Sequence, residues 1–349
     1  MRITHIVNHF YPRIGGVEKH VKKVAVSQAI AGHEVTVISG QYSGMGEFQE
    51  FDGLKIYRFP AMRSDIRNWL WHISNFKLYQ NSQILHVHNL DSLDNIPFFL
   101  IDRKKTVLTL HGWGGKFPIP SERKAFVKYK AERTANRIVT VGGFVNKWYD
   151  LHSDLVIYGA VEKSLLNSFS AGGEFKYDIC ILGRLEVDAG VDIYIESLTD
   201  FIATCPRKLR ICVCGDGTLK DRLEKSLVGA DVTFLGFVDN PDEYVTLSRC
   251  CLTSGYLGIL ECLAMRKKVF SVYGNPLKED YLKLAPFADD INISGGAEIL
   301  YRQLVDEFSN PYFKPPAISE FVKSSSWENL IDSYQGLYIS MGGEGGDNL

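Results

Sequence analysis

The first forty residues confine the chain to a narrow set of folds, because they spell out a complete strand, glycine turn, helix and strand. Arg2-Ile3-Thr4-His5-Ile6-Val7 reads as a buried strand. Tyr11-Pro12-Arg13-Ile14-Gly15-Gly16-Val17-Glu18 follows, and then Val21, Val24, Ala25, Gln28 and Ala29 recur at helical spacing up to Gly32. Glu34-Val35-Thr36-Val37-Ile38 supplies the next strand. Period-3.6 apolar spacing between two β-branched runs is a βαβ signature, and a βαβ unit builds a parallel sheet. Gly15 and Gly16 stand at the strand-to-helix turn. A bare backbone there lets a ligand approach closely, and the helix start favours an anion. Glycine pairs also mark ordinary turns, so the loop takes its meaning from the rest of the chain.

The rhythm continues through Leu54–Arg58, Ile84–His88, Thr106–Leu110 and Arg137–Val141, with helical segments between most of these runs. This is the pattern of a doubly wound parallel sheet. It lapses from about Tyr158 to Lys176, where Ser168, Ser170, Gly172 and Gly173 cluster, and a domain boundary is expected there. A second series follows at Tyr177–Leu182, Leu209–Cys214, Val232–Leu235, Cys250–Thr253 and Val269–Val272. With 349 residues, two α/β domains are expected. The reading is residues 1–160, residues 161–325, and a last segment, 326–349, whose helix Trp327 to Tyr338 packs back across the junction before a flexible Gly-rich tail. Two such domains in tandem make a cleft between the carboxyl ends of their sheets, where ligands bind.

Charge is unevenly spread. Residues 1–163 hold 22 of the 39 Lys and Arg but only 14 of the 41 Asp and Glu, although the whole chain is at −2. A basic first half suits an anionic acceptor or a membrane surface, or is simply a solvated charged face. In Met62 to Tyr79, Arg63, Arg67 and Lys77 interleave with Trp69, Trp71 and Phe76. Such a segment lies on lipid or, in the commoner arrangement, packs its tryptophans inward. All seven cysteines lie in the second half without a CxxC pair, which reads as buried reduced thiols in a cytoplasmic protein. No signal-peptide core and no 18-residue apolar run is seen, so no membrane-threaded segment is expected.

Four loops fall at strand ends: Gly15-Gly16; Leu182-Gly183-Arg184; Cys214-Gly215-Asp216-Gly217; and Ser254-Gly255-Tyr256-Leu257-Gly258-Ile259-Leu260-Glu261. A guanidinium at a strand end, Arg184, is shaped to grip a diphosphate. The fourth loop opens a helix and offers N–H groups to phosphate, with Glu261 placed to accept ribose hydroxyls.

With these loops in order, the chain from Met1 to about Tyr338 resembles the retaining glycosyltransferases of family 4, which have the GT-B fold. The likeness includes the GGVE-type opening loop, Gly32-His33-Glu34-Val35, His86-Val87-His88, Thr109-Leu110-His111-Gly112, Gly183-Arg184-Leu185, Gly215-Asp216-Gly217, Phe234-Leu235-Gly236-Phe237 and Glu261-Cys262-Leu263-Ala264-Met265. The resemblance implies an α/β chain of two Rossmann-like domains facing a cleft. It implies transfer of a hexose with retention from a nucleotide diphosphate sugar, UDP- or GDP-linked, without a metal or other cofactor. Gly15 and Gly16 would hold phosphate, Arg184 would neutralise the leaving diphosphate, and Gly215, Leu257 and Gly258 would line the donor. Phe237 and Val238 would flank the base, and Glu261 would take the ribose. His111 matches the histidine beside the transferred sugar, the alternative being a turn residue that caps its loop. His86 and His88 are expected to fill the sheet rather than bind metal. The expected acceptor is an anionic glycan or lipid-linked molecule at the inner membrane face, in polysaccharide biosynthesis, and not a nucleic acid.

Two positions depart from the pattern. Ala189 stands where the family places a Lys before Gly190, and Thr253 stands where it places the first of two glutamates. Lys268, Lys278 and Glu279 are the nearby candidates to compensate. Otherwise the chain is a catalytically silent nucleotide-sugar binder or the partner of an active transferase. A nucleotide-sugar epimerase has no specific support. A Rossmann dehydrogenase is disfavoured, since the first turn lacks G-x-G-x-x-G and gives Arg184 no role.

Overall fold

The computed structural model describes residues 1–13, 15–60, 65–114, 117–167 and 175–342. Arg63, the Ser168–Gly173 cluster of the expected boundary and the glycine-rich tail from Gly343 lie outside the described residues. The chain divides into two compact units. One is Met1–Ile157 together with the segment from Trp327, and the other is Tyr158–Ser326.

The first unit is built on eight strands: β1 (Arg2–Ile6), β2 (Glu34–Gly40), β3 (Phe48–Phe51), β4 (Leu54–Phe59), β5 (Ile84–His88), β6 (Thr106–Leu110), β7 (Arg137–Val141) and β8 (Leu155–Ile157). Their order is β3-β4-β2-β1-β5-β6-β7-β8, parallel except for the β3–β4 pair. Sequence reasoning missed β3. Its signal was Asp52-Gly53, a two-residue turn with φ of 50° and 77°, which closes an antiparallel hairpin. β8 and the last strand of the second sheet were also missed, each being three residues long.

The second sheet contains β9 (Tyr177–Leu182), β10 (Arg210–Cys214), β11 (Asp231–Gly236), β12 (Ser248–Leu252), β13 (Lys268–Val272) and β14 (Asn292–Ser294) in the order β11-β10-β9-β12-β13-β14. All its pairings are parallel. Parallel strands are covered on both faces, which accounts for their continuous apolar runs. Leu198, Ile211, Val213, Leu252 and Leu304 fill one side of this sheet. The seven cysteines are free thiols, and six of them are buried.

In each unit the strand order reverses about the opening strand. β1 lies between β2 and β5, and β9 lies between β10 and β12. Loops leaving the carboxyl ends of strands on either side of such a point diverge and leave a crevice, the usual ligand position in open α/β sheets. In the second unit these are the loops after β9 and β12, which carry Arg184 and Ser254–Gly258.

The helix Gly16–Ile30 buries a stripe of His20, Val21, Val24, Ala25 and Gln28. Two of the five are polar, which demands partners inside. The helix Trp327–Ser340 packs on the same unit and brings Tyr334 and Tyr338 to meet them.

The short helix Ile66–Ser74 is turned the other way. Asn68 and His72 are buried, bonded to Asn95 (2.8 Å) and Tyr79 (2.6 Å). Ile66, Trp69, Leu70 and Ile73, at i, i+3, i+4 and i+7, are exposed, Ile66 to 68% and Leu70 to 58%. The expectation that both tryptophans pack inward therefore fails for Trp69, because the polar face of this helix is the one that finds partners.

Candidate functional site

In the first unit, strand register assembles a histidine cluster. His5 of β1 lies opposite His86 of β5, and His88 lies opposite Thr109 of β6, so all four share one face of the sheet. His111 follows two residues after Thr109. Its backbone N–H donates to Asn89 Oδ1 at 2.8 Å, which fixes the loop. His20 approaches from the first helix, its ring 5.0 Å from that of His111 and edge-on. The nitrogens pair in series: His5 Nε2 with Gln28 Oε1 at 2.7 Å, His5 Nδ1 with His88 Nε2 at 3.0 Å, and His88 Nδ1 with His111 Nε2 at 3.0 Å. His86 Nδ1 meets Tyr338 Oη at 2.7 Å and His86 Nε2 meets Thr109 Oγ1 at 2.7 Å. His5, His86 and His88 have the spacing of a metal triad, yet every ring nitrogen of the three is engaged by a protein group.

Burial holds these rings neutral. It lowers His5 to about 4 against the opposing Gln28 hydrogen bond, lowers His20 to about 3, and drives His86, His88 and His111 well below the usual imidazole range, neighbouring imidazoles adding to the effect at these last four. Sequence reasoning found His86, His88 and His111 but not His5, His20 or the role of Gln28. The available signals were the shared strand parity and the two polar residues on the buried helical stripe.

At the opening loop, Gly15 caps the first helix with extended backbone, and a Cβ there would collide with the Glu18 carboxylate. Glu18 in turn faces Arg13 at 3.6 Å. An anion reaching Gly16 therefore meets a loop already faced by a carboxylate.

In the second unit, Gly183 N–H donates to the Cys214 carbonyl (3.0 Å) and Leu185 N–H to that of Asp216 (2.9 Å). The second and third glycine loops thus run zipped together. A Cβ on Gly215 would overlap the Gly183 carbonyl, so this glycine is required by the backbone contact itself. Arg184, its side chain 59% exposed, donates to Asp188 Oδ2 at 2.7 Å, and that pairing raises its guanidinium further.

The fourth loop is held from beneath. Ser254 Oγ bonds Tyr194 Oη (2.7 Å) and accepts from Val272 N–H (3.0 Å). Gly258 lets the helix Tyr256–Ala264 lie against Thr253, whose Oγ1 would be 2.7 Å from an added Cβ. The Tyr256 N–H expected to be open to phosphate is taken by Tyr281 Oη at 2.8 Å, because the two rings stack at 3.9 Å. Leu257 and Gly258 remain in the first turn, where a helix has no partner of its own for its N–H groups. Glu261 sits in the sixth position of this helix and is 8% exposed. Phe237 and Val238 follow β11, Phe237 exposed and Val238 half-buried.

The structure separates the three candidate compensators. Lys268 pairs with Glu307, which also binds Arg249. Glu279 pairs with Lys283 at 2.6 Å and accepts from Tyr273 at 3.1 Å. Lys278 alone shares the electrostatic surroundings of Arg184 and Asp188. It is buried, with its ammonium donating to the Ser254 carbonyl at 2.9 Å and lying 3.8 Å from the centre of the Tyr281 ring. Burial pushes this group down to about 7, with Asp188 opposing and Arg184 adding to the shift. Ala189 packs against the core of this unit, so nothing cationic issues from that turn.

Residues 14–152 match the model of Glycosyltransferase Family 4. None of the curated proteins matches the chain in sequence. Among solved structures, a glycosyltransferase from Rickettsia africae ESF-5 is similar at a TM-score of 0.72 and 14% identity, covering 99% of each chain. Sucrose-phosphate synthase from Thermosynechococcus elongatus is similar at 0.72 and 15%, covering 97% of this chain and 98% of that one. HepE from Anabaena, solved with UDP, gives 0.64 and 12%, covering 98% and 97%. At such identities the likeness is one of fold.

Proposed function

From a chain that the match over residues 14–152 and its GT-B fold support as a family 4 glycosyltransferase, we propose a retaining hexosyltransferase. Its donor is a nucleotide diphosphate sugar, and its acceptor is a glycan or a lipid-linked molecule. The observation that carries this reading is the meeting of Arg184, the zipped Gly183 and Gly215 loops and the Tyr256–Ala264 helix start at the switch point of the second sheet. Diphosphate departure develops negative charge, and fixed cations and N–H groups stabilise it without a divalent ion. Arg184 supplies one cation, and Lys278 supplies the second that Ala189 lacks. Glu261 takes the ribose and Phe237 the base. HepE, solved with UDP and with glucose, favours UDP over GDP as the carrier here. His111, which matches the family's active-site histidine, is the residue assigned to the transferred sugar. The test is donor binding followed by donor hydrolysis. The silent-binder alternative rests on Ala189 and Thr253 and predicts binding without turnover.

The apolar stripe Ile66, Trp69, Leu70 and Ile73 on the basic unit supports acceptor capture at the inner membrane face. No helix among the described residues is long and apolar enough to cross a membrane; the contact proposed is a peripheral one through this stripe. Flotation with vesicles containing anionic lipid is expected to carry the protein up. A variant with Trp69→Ser and Leu70→Ser is expected to stay behind, and equal flotation of both removes this part of the proposal.

A further inference from the structure

The histidine cluster is one hydrogen-bonded circuit with a single hub. Gln28 is buried and uses both ends of its amide: Oε1 faces His5 Nε2 at 2.7 Å, and Nε2 faces Tyr338 Oη at 3.3 Å. One branch runs from the carbonyl end through His5 and His88 to His111. The other runs from the NH2 end through Tyr338, His86, Thr109 and Tyr334 to His20, with separations of 3.3, 2.7, 2.7, 3.4 and 3.1 Å. The two branch ends meet as a ring contact, His20 edge-on to His111 with centroids 5.0 Å apart.

Proton counting leaves such a circuit two arrangements, one for each orientation of the Gln28 amide, and the structure turns the carbonyl end to His5 and the NH2 end to Tyr338. A neutral imidazole carries one N–H and one lone pair, and an amide oxygen only accepts. Gln28 Oε1 therefore requires the His5 proton on Nε2, which leaves the lone pair on Nδ1. That lone pair accepts from Nε2–H of His88, whose own Nδ1 must then accept from Nε2–H of His111. The nitrogen left over is Nδ1 of His111, to which no hydrogen bond runs among the described residues. The second branch agrees. Gln28 donates to Tyr338, Tyr338 donates to His86 Nδ1, His86 Nε2–H donates to Thr109, Thr109 to Tyr334, and Tyr334 to His20 Nε2. Both phenols donate, as suits their greater acidity beside neutral imidazoles.

We propose that Gln28 is a positioning residue, which through His5 and His88 fixes His111 as the Nε2–H tautomer with its Nδ1 lone pair free for the ligand. The consequence for chemistry rests on the transferase reading given above. Departure of a diphosphate leaves positive charge on the sugar, and a neutral ring presenting a lone pair favours that charge where a ring presenting N–H opposes it. Turning the Gln28 amide by half a turn would reverse every proton in both branches and present N–H instead. The amide is thus the element that selects between two arrangements of one circuit.

The tautomer readout needs no donor and no activity, and only the kinetic readout of Gln28→Leu does, so failure of the proposal is distinct from failure of the transferase reading. Full-length protein labelled with 15N-histidine, observed by two-bond 1H–15N correlation at pH 7.5, reports which nitrogen of each ring is protonated. His111 is assigned from its loss in His111→Gln. The expected result is a neutral His111 protonated on Nε2. Protonation on Nδ1, or an imidazolium, overturns the proposal in the wild-type protein alone. Gln28→Glu supplies an acceptor at both ends. It is expected to retain the His111 tautomer while His86 moves its proton to Nδ1, since Tyr338 must then donate to the carboxylate. Gln28→Leu removes the anchor and is expected to mix the tautomers of His5, His88 and His111, with kcat falling and donor KM little changed. Tautomers unaltered in both variants would show that Gln28 does not set them.

Discussion

His111→Ala is expected to lower kcat for sugar transfer by about 10²–10³-fold, while nucleotide-sugar affinity stays within a few fold of wild type. The asymmetry follows from the division of labour between the units. Apart from the Gly15-Gly16 turn, the groups assigned to the nucleotide and diphosphate, Arg184, Lys278, Glu261 and Phe237, belong to Tyr158–Ser326, and the histidine belongs to the other unit. His111 is held by Asn89 through its backbone and by His88 through its ring, so truncation leaves the loop anchored and removes only the imidazole. Isothermal titration and initial rates on the same preparations separate the two effects. Full transfer activity in His111→Ala would mean that the reacting centre lies elsewhere.

The second large effect is at the diphosphate. Arg184→Ala is expected to weaken a nucleotide diphosphate sugar by roughly 10-fold, the lower end of the ~1.5–3 kcal/mol range for charged hydrogen bonds, since this side chain is 59% exposed and screened. Lys278 is expected to add a pH dependence. In the free protein burial lowers its ammonium to about 7, so above pH 7 it is increasingly neutral. A bound diphosphate favours the charged form and raises that value, so binding above pH 7 takes up a proton. Affinity is therefore full below pH 7 and falls as pH rises, by up to about tenfold per unit until the pKa of the bound state is reached. A UDP-sugar is the ligand to use, because its phosphates do not titrate in this window. Lys278→Met is expected to abolish the slope, and a slope unchanged in that variant would exclude Lys278 as the second cation.

The fold was legible because parallel strands buried on both faces leave near-continuous β-branched runs, and eleven of them were read at their places in the chain. β3 escaped because its residues alternate between half-buried and exposed, although Asp52-Gly53 marked its turn. The loop carrying Arg184 was visible as a glycine and a guanidinium at a strand end. The histidine circuit was not, because its logic lies in register and in helix-to-sheet packing. His5 and His86 are 81 residues apart in sequence and adjacent only once β1 pairs with β5. Lys278 is one of three candidates that the sequence offers, and only burial and the charges around it distinguish it from Lys268 and Glu279. The orientation of the helix Ile66–Ser74 was not legible, because an amphipathic pattern does not say which face finds a partner. Asn68 and His72 found theirs, and the apolar face stayed outside.

The central claim is that this chain binds a nucleotide diphosphate sugar and turns it over. A thermal-shift screen of UDP-, GDP- and ADP-sugars and the bare diphosphates, followed by a hydrolysis assay on each hit, tests it most directly. Selective stabilisation by a UDP-sugar with slow release of UDP, both reduced in Arg184→Ala and only the release lost in His111→Ala, is the predicted result. Stabilisation without release, once acceptor glycans and lipids have been supplied, would make the chain a silent binder. No stabilisation by any nucleotide would contradict the account, because the loops after β9 and β12 would then hold no donor.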